Sequence, residues 1–564
     1  MGSGFENLIL FGLLSLMLLI GTLLRAKVKL FQDYLVPASI IGGLIGFAIV
    51  STGWLKIGEW QITSSSFNWF LFHAFNISYI SLLLTRPRGN QENTSKEVVR
   101  GGMWQTLIWT ISLPAQALIG GAVIWLYNLA TGNSLSEFIG MIVTHGYTQG
   151  PGQAYAFGTL WEKGGIADCA TVGVIYAALG FLSAAIVGVP VARWFVRKGL
   201  NANKTGASIT KEFLTGIMDE KSTATNGRET THASTIDTLA FHVALVGIVY
   251  LITYAELSWI EAHIKPFFDQ YKWLKGFGAT LSMPMFFIHG LIVAWLLRTL
   301  LLKLGAGRLM DPVVQTRITG ASVDYLLTAT LMSIHIVVLK QYVIPIFLVA
   351  FSVTLFALAL NLWFGRRTNY GPERVLCQFG CCCGSTATGL LLLRIIDPDF
   401  STPATLELAF FNVGILVTCA PILYFFAPAF YTFTGMEILM IYGAITVIGI
   451  AAMFALKLVG QKQWYRRPYL RTSPVGWYGP SLPRAARPRL IGLKRKWLCS
   501  QTNARLSPAR KYLLWTRENP QPKPFASVKE KFSPSARWKN SARSPPGIGA
   551  RKSIWRKACS SPAS

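Results

Sequence analysis

The chain has 564 residues, of which 52% are apolar and only 14% are charged, and its mean hydropathy is +0.42. Soluble proteins carry about 25% charged residues, so the composition excludes an ordinary soluble protein, and it excludes collagen and coiled-coil classes for most of the chain. The net charge of +28 is concentrated at the C-terminus, where residues 462–564 hold 24 Lys and Arg against two acids. We therefore interpret the chain as a multispanning membrane protein with a basic tail.

Apolar stretches long enough to cross about 30 Å of hydrocarbon recur along the chain and predict eleven helical spans. They lie near residues 6–24, 34–53, 66–84, 104–130, 168–193, 236–258, 277–303, 321–338, 341–363, 404–427 and 437–457. The first stretch is followed, rather than preceded, by Arg25, Lys27 and Lys29, which is the wrong order for a cleaved signal peptide. We expect it to remain in the protein as the first helix.

Basic residues in the short connections predict the orientation, because cytoplasmic loops retain Lys and Arg. The basic connections lie near residues 25–29, 86–100, 193–198, 298–308 and 366–374. All of them face the cytoplasm if the N-terminus is outside, whereas Lys272, Lys275 and Lys340 are exceptions. We predict a multi-pass protein of the cell membrane, with its N-terminus outside and its tail in the cytoplasm. In a cell with two membranes, the predicted location is the inner membrane.

Two stretches between apolar segments are too rich in glycine and polar residues for lipid-facing helices. They are residues 144–158 and residues 377–389. Backbone groups released by Gly and Pro at membrane depth must find partners inside the protein or in a water-filled cavity. We therefore predict that both stretches are re-entrant hairpins.

The two stretches occupy corresponding positions in an internal repeat. A shift of 234 residues aligns Gly150 with Gly384 and Gly180 with Gly414, and each hairpin follows four spans and precedes a fifth. Five spans are an odd number, so the second copy starts on the opposite side of the membrane. The pattern predicts an inverted-topology repeat, which in secondary transporters places the binding site between interrupted helices.

The predicted fold class is thus all-α integral membrane, with two inverted five-span repeats, each carrying a Gly-rich hairpin, and one extra span. The predicted boundaries are a first repeat at 1–198, a cytoplasmic linker at 199–235, a second repeat at 236–430, an additional span at 431–461 and a disordered basic tail at 462–564. The tail could instead contact anionic lipid or nucleic acid, and its abrupt change of composition also fits translation in a shifted reading frame.

Both glycine-rich segments resemble those of a known family. The run from Gln149 to Gly158, followed by Trp161 and Glu162, and the run from Gly384 to Ala404 are similar to the two hairpins of the sodium/glutamate symporter family. The resemblance covers roughly residues 5–457. It implies import of glutamate or a related acidic amino acid coupled to sodium, by alternating access, and a homodimer in the lipid bilayer. The three consecutive cysteines at 381–383 and the tail depart from the family pattern.

The hairpin tips hold most of the candidate site residues, because exposed backbone groups, amides and hydroxyls can bind carboxylates and sodium. Arg394 could grip a carboxylate bidentately, although an internal pair with Asp397 or Asp399, or an interfacial position, is the alternative. The predicted substrate-binding residues are Gln149, Gly150, Pro151, Gly152, Gln153, Ser385, Thr386, Thr388 and Arg394. The predicted ion-binding residues are Asp324, Thr388 and Asp397. Small residues could instead serve close helix packing, and Asp324 could be a helix cap.

Other chemistry is less favoured by the sequence. We expect His145 and Glu162 to make structural hydrogen bonds, and adjacent cysteines do not have the spacing of a metal site. We predict no cofactor, no resident metal and no nucleic-acid partner, with sodium as the coupling ion only. Competing functions are a multispanning enzyme acting on lipid-linked substrates, a receptor or scaffold, and a proton-coupled or uncoupled carboxylate transporter.

Overall fold

The computed structural model describes residues 5–85, 96–202, 211–219, 227–398 and 401–460, and these residues are mostly helical. The predicted tail and parts of the predicted linker lie outside the described residues. One short hairpin of two strands, β1 (Lys56–Ile57) and β2 (Trp60–Gln61), interrupts the helices.

The helices of the first half precede residue 220. They are α1 (Glu6–Lys27), α2 (Lys29–Asp33), α3 (Ala38–Ser51), α4 (Asn68–Leu84), α5 (Lys96–Thr131), α6 (Phe138–Met141), α7 (Val143–Gln149), α8 (Pro151–Lys163), α9 (Cys169–Ser183), α10 (Val189–Arg197) and α11 (Lys211–Thr215). A 3₁₀ turn at Ser64–Phe67 precedes α4, and a π-helical turn at Ala184–Gly188 joins α9 to α10.

The helices of the second half begin near residue 238. They are α12 (Thr238–His263), α13 (Lys265–Asp269), α14 (Lys275–Thr280), α15 (Phe286–Lys303), α16 (Pro312–Met332), α17 (Ile336–Gly365), α18 (Gly371–Cys383), α19 (Thr386–Ile396), α20 (Ala404–Thr418) and α21 (Gly435–Ala455). Short 3₁₀ turns lie at Met283–Met285, Ala306–Leu309 and Ala427–Thr432, and a π-helical turn at Pro421–Phe426 follows α20.

Eight helical segments among the described residues are long and apolar enough to cross a membrane, or nine if one bent pair counts as a span. The predicted count of eleven is therefore too high for straight, continuous spans. The helix at Ala38–Ser51 has only 14 residues, and the stretch 404–427 is divided between two helices that meet at 48°. The predicted span at 321–338 has the wrong bounds, because α16 begins at Pro312 and ends at Met332.

The helices pack in matching pairs between the two halves of the sequence. In the first group, α1 packs on α3 and α12 packs on α15, while α3 contacts α16, α15 contacts α4, and α4 contacts α16. In the second group, α5 packs on α20 and α17 packs on α9, while α5 also contacts α17 and α21. Among these contacts, α1 with α3 matches α12 with α15, α3 with α16 matches α15 with α4, and α5 with α20 matches α17 with α9. The pairs α4 with α16 and α5 with α17 match themselves, and the contact of α5 with α21 has no counterpart.

Burial differs sharply along these helices. The middle of α5 is enclosed by protein, with Trp104 and Ile108 both 0% exposed, whereas α12 and α17 expose large apolar side chains such as Leu251 and Phe347. Exposed apolar residues on long helices are the expected outer surface of a protein in lipid. The α5 region is therefore the interior of the bundle, and α12 and α17 contribute to its rim.

The two ends of α21 define two faces of the molecule, which we name the Glu437 face and the Lys457 face. At the first, Lys272 Nζ lies 2.9 Å from Glu437 Oε1. At the second, Arg100 Nη2 donates to the Lys457 carbonyl, and the Gly460 N–H donates to the Arg367 carbonyl over 2.7 Å. Since α21 is 21 residues long, the faces are about 30 Å apart.

Candidate functional site

A break in helical structure separates α7 from α8 at Gly150. This residue has φ of +84°, a conformation that glycine adopts readily and other residues avoid. Pro151 follows at the first position of α8, where a missing N–H is harmless. The sequence Gln-Gly-Pro therefore ends one helix and starts the next within a single residue.

A second break lies between α18 and α19, at Gly384 and Ser385. The two helices run in close contact, since a Cβ on Gly380 would lie 2.6 Å from the Gly389 Cα. A Cβ on Gly389 would lie 2.4 Å from the Cys377 carbonyl oxygen. Only glycine allows the two backbones to approach so closely.

The structure brings the two breaks together. A Cβ built on Gly150 would lie 3.9 Å from the Gly384 carbonyl oxygen, the nearest atom of the described residues apart from its own chain neighbours. The second break is also held by α9, because a Cβ on Gly180 would lie 2.3 Å from the Cys383 carbonyl oxygen. The predicted tips at residues 144–158 and 377–389 are therefore in contact with each other.

The helices that flank the first break reach the Glu437 face. The ring of Phe138, at the start of α6, lies 5.8 Å from that of Phe430, and Trp161 Nε1, near the end of α8, donates to the Ala427 carbonyl over 2.7 Å. These partners directly precede α21. Both flanking arms of the first break therefore extend toward the face where α21 begins.

The helices that flank the second break reach the other face. Arg374, at the start of α18, contacts Glu97, which lies one turn before Arg100 in α5. Near the end of α19, the Ile396 carbonyl accepts a hydrogen bond from Asn201, and the neighbouring Ala202 N–H donates to Glu373. These contacts place both arms of the second break toward the Lys457 face.

Polar side chains at the first break carry unused hydrogen-bonding atoms. His145 Nδ1 lies 2.7 Å from Gln149 Oε1, and Gln153 Nε2 donates to the Tyr79 hydroxyl over 3.1 Å. Gln149 Nε2 and Gln153 Oε1 are buried and have no partner among the described residues. The first break thus offers one amide donor and one amide acceptor to a ligand. His145 makes the structural hydrogen bond that the sequence predicts and stacks on Phe157 at 4.1 Å.

Hydroxyl groups surround the start of α19 at the second break. Ser385 Oγ lies 3.4 Å from Thr388 Oγ1, and Thr386 Oγ1 donates to Asn412 Oδ1 over 2.9 Å. Gly389 is the first residue of α19 whose N–H donates a hydrogen bond to a backbone carbonyl, that of Ser385. The N–H groups before it belong to the open first turn of α19.

Arg394 and Asp397 lie away from the tips. Arg394 is exposed, about two turns along α19 from Thr386, and its guanidinium lies 5.7 Å from the centre of the Phe213 ring. Both Asp397 oxygens accept hydrogen bonds from the backbone and hydroxyl groups of Ser401 and Thr402. Burial alone raises the pKa of Asp397, but these hydrogen bonds outweigh it and hold the pKa below its ordinary value. These hydrogen bonds favour a structural role for Asp397, and Asp399, the other predicted partner of Arg394, lies outside the described residues.

Asp324 lies in the thirteenth position of α16, well inside the helix. The cap of this helix is Asp311, whose Oδ1 accepts hydrogen bonds from the Val313 N–H at 2.8 Å and the Val314 N–H at 3.1 Å. The helix-cap alternative for Asp324 is therefore wrong.

A buried ion cluster escaped the sequence analysis. Arg374 is only 1% exposed, and it makes a bidentate pair with Glu407, which is 0% exposed. It also makes a single contact with Glu97. The sequence grouped Arg374 with basic cytoplasmic loop residues. Its acidic partners are 33 and 277 residues away, so no local pattern could have revealed the pairing.

A second buried polar group was also missed. It lies between α5, α17 and α18 and consists of Ser112, Gln116, Asn361, Gln378 and Cys382, all 0% exposed. A polar amide in the middle of an apolar span is unusual enough to mark a functional position. Gln116, two residues after Pro114 in the predicted span 104–130, was the available signal.

Comparison with known proteins identifies the family. A family model described as Sodium/glutamate symporter matches residues 5–390. The match contains both breaks and stops within α19, before Arg394 and short of the 457 that the resemblance suggested. No curated protein and no solved structure matches the chain. Since the family model covers more than half of its length, the chain belongs to the sodium/glutamate symporter family.

Proposed function

We propose that the protein imports glutamate, or a closely related acidic amino acid, together with sodium by alternating access. Family membership supports a sodium-coupled glutamate transporter in general. The contact between the two helix breaks is the structural observation that carries the more specific proposal. Interrupted helices expose backbone donors and acceptors at a depth where a transporter binds its substrate.

The substrate carboxylates suit the two helix N-termini at this contact. The helices α8 and α19 both begin there, at Pro151 and Thr386. A helix N-terminus carries free N–H groups and a partial positive charge, which stabilise an anion. An acidic amino acid has two carboxylates, so two N-termini on either side of one small space match its charge distribution.

The unused amide atoms complete the proposed site. Gln149 Nε2 is a donor that can bind a carboxylate, and Gln153 Oε1 is an acceptor that can bind the substrate ammonium group. Ser385, Thr386 and Thr388 add hydroxyls on the other side. Arg394 is exposed and lies about two turns along α19 from Thr386, so we leave it out of the proposed group.

We also propose that the body consists of two inverted repeats with re-entrant hairpins. Three observations support this: the matched packing of the helices, the arms that run toward opposite faces, and the π-helical turns that follow both α9 and α20. The glycines at the two breaks, Gly150 and Gly384, are the pair that the 234-residue shift aligns. Independent agreement of packing and sequence is the expected signature of an internal duplication.

The same arrangement supports a proposed orientation. Arg100, Arg367 and Arg374 lie at the Lys457 face, and Lys272 and Lys275 belong to the Glu437 face. The positive-inside rule therefore favours a cytoplasmic Lys457 face. Because α21 ends at this face, the proposed tail would begin in the cytoplasm. The protein is further proposed to act as a homodimer, as the family resemblance implies.

Sodium-driven uptake is the direct test of the function. In proteoliposomes, glutamate accumulation is expected to require an inward sodium gradient. Accumulating an acid against a negative interior needs co-moved cations, each of which supplies about 2.3 kcal/mol per 100 mV. Radiolabelled uptake should collapse when sodium is equal on both sides and no voltage is imposed.

Control vesicles with choline in place of sodium, and with an imposed proton gradient, separate the alternatives. Uptake driven equally well by protons would replace sodium as the coupling ion. Uptake without any gradient dependence would make the protein a facilitator, and no transport of any amino acid or dicarboxylate would remove the proposal.

Replacing Gln153 with leucine tests recognition of the substrate ammonium group. Glutamate is expected to lose roughly 10-fold or more in apparent affinity, since a hydrogen bond to a charged group contributes about 1.5–3 kcal/mol. Glutarate, which lacks the amino group, should compete with glutamate better in the variant than in the wild type. Competition uptake with both compounds measures the difference.

Tyr79→Phe is the matched control for Gln153→Leu. It removes the same hydrogen bond between Tyr79 and Gln153 but leaves Gln153 Oε1 in place. We expect Tyr79→Phe to retain the preference for glutamate over glutarate. Equal loss of both ligands in Gln153→Leu would show that the residue acts through packing alone.

A further inference from the structure

The buried polar group between α5, α17 and α18 surrounds Cys382, one residue before the end of α18. Gln116 Nε2 donates to the Cys382 carbonyl over 3.0 Å and to Ser112 Oγ over 2.9 Å. Gln378 Nε2 lies 3.9 Å from Cys382 Sγ, and the side chains of Ser112 and Asn361 lie near this thiol. The four polar side chains therefore converge from three helices on one point beside the second break.

Three oxygen atoms of this group have no hydrogen-bond partner among the described residues: Gln116 Oε1, Asn361 Oδ1 and Gln378 Oε1. The amide orientations follow from the chemistry of two contacts. The NH₂ groups of Gln116 and Asn361 face the carbonyl oxygens of Cys382 and Ala357, which can only accept. The oxygens are thus the unused ends of amides that are completely buried.

A buried carbonyl oxygen without a partner is costly, so three such oxygens within one buried polar group favour a ligand that supplies positive charge or hydrogen-bond donors. Carbonyl and hydroxyl oxygens are the usual ligands of hard cations. The partners of these side chains in the described structure are all neutral, which suits a monovalent rather than a divalent ion. The C-terminus of α18 adds a partial negative charge that favours a cation over a water molecule.

We propose that Ser112, Gln116, Asn361 and Gln378 form the binding site of the coupling sodium ion. This inference rests on the proposed function, because sodium is the cation that the family transports. An ion held here would tie α18 to α5 and α17 directly beside Gly384. Sodium binding would thereby order the second break before the substrate arrives, which couples the two ligands without direct contact between them.

Sodium-dependent thermal stability of the purified protein, without substrate, tests the site independently of transport. Sodium chloride is titrated against choline chloride at constant ionic strength. The wild type is expected to gain stability with sodium, and Asn361→Leu should raise the half-saturating concentration by about 10-fold or more. The same shift is expected in the sodium dependence of glutamate uptake.

Asn76→Leu is a matched control. Like Asn361, Asn76 is 0% exposed, and its Nδ2 donates over 2.9 Å to the carbonyl four residues earlier. Its Oδ1 also has no partner within the described part of the chain. It belongs to α4, outside the group around Cys382. We expect Asn76→Leu to keep the wild-type sodium dependence. Ser112→Ala, a smaller change, should raise the half-saturating concentration even if Asn361→Leu does not fold.

The outcomes distinguish this site from the proposed function. Unchanged sodium dependence in either Asn361→Leu or Ser112→Ala, with a sodium-driven wild type, would overturn the site and leave the function standing. An equal shift in Asn76→Leu and Asn361→Leu would also overturn the site. A wild type that neither gains stability from sodium nor uses it for uptake would overturn both proposals.

Discussion

Arg374→Met is expected to destabilise the protein by roughly 3–5 kcal/mol, because it leaves the charge of Glu407 buried without its partner. The Arg374 guanidinium donates to Glu407 from Nε at 2.8 Å and from Nη2 at 2.5 Å, and to Thr368 from Nη1 at 2.6 Å. These contacts fix the start of α18 to α20 and α5. Chemical or thermal unfolding in a mild detergent measures the loss.

Two further variants isolate the ion pair from general damage. Arg193→Met removes an arginine whose pair with Asp33 is nearly half exposed, and it should cost about 1 kcal/mol or less. The double variant Arg374→Met with Glu407→Leu should recover much of the stability, since no fully buried charge is left unpaired and the other partner, Glu97, is about one-third exposed. A double variant less stable than Arg374→Met alone would contradict the explanation.

Gly180→Ala is expected to reduce glutamate uptake severely while leaving membrane insertion intact. The added methyl group would lie 2.3 Å from the Cys383 carbonyl oxygen, a backbone atom that cannot rotate away. Either α9 or the second break must move by about 1 Å to reach an ordinary contact. Overpacking of this kind costs about 1–3 kcal/mol, which corresponds to a loss of about 5- to 150-fold if it falls on substrate binding.

Gly247→Ala provides the comparison, because a Cβ on Gly247 in α12 meets no atom of the described residues within 4 Å. This variant should transport like the wild type. Uptake and the amount of folded protein are measured together for both variants. Wild-type uptake by Gly180→Ala would show that the second break tolerates displacement, and its close contact with α9 would then have no role in transport.

The breaks in the helices were predictable because their chemistry is local. Gly150 followed by Pro151 ends a helix and starts another through backbone properties that do not depend on the rest of the fold. The likeness between Gly150 and Gly384 across 234 residues then suggested that the two segments meet, and the structure places them in contact. Membrane spans such as α1 and α12 were equally plain from continuous apolar sequence.

Features that depend on distant partners were not predictable. Arg374 has the sequence context of a loop residue, and only the fold reveals that Glu407 lies beside it. Conversely, Arg394 looked costly within an apolar run, but α19 turns it outward over Phe213. The side chains of Gln116, Asn361 and Gln378 come from three separate helices, so their meeting around Cys382 could not be deduced from spacing.

The opposed arms of the two breaks have a consequence for the electric field across the membrane. The helix α8, which has 13 residues and is about 20 Å long, separates the first break from the Glu437 face. The helix α19, which has 11 residues and is about 16 Å long, separates the second break from the Lys457 face. When water reaches the tips from one side in the proposed arrangement, the membrane voltage falls across the closed side alone. The closed side is only as thick as one of these short helices, which is well below the roughly 30 Å of a full bilayer core, so the electric field across the closed side is steeper. A sodium ion carried inward would then gain almost the whole voltage energy in the one conformational change that moves the closed region from the inner to the outer side of the tips.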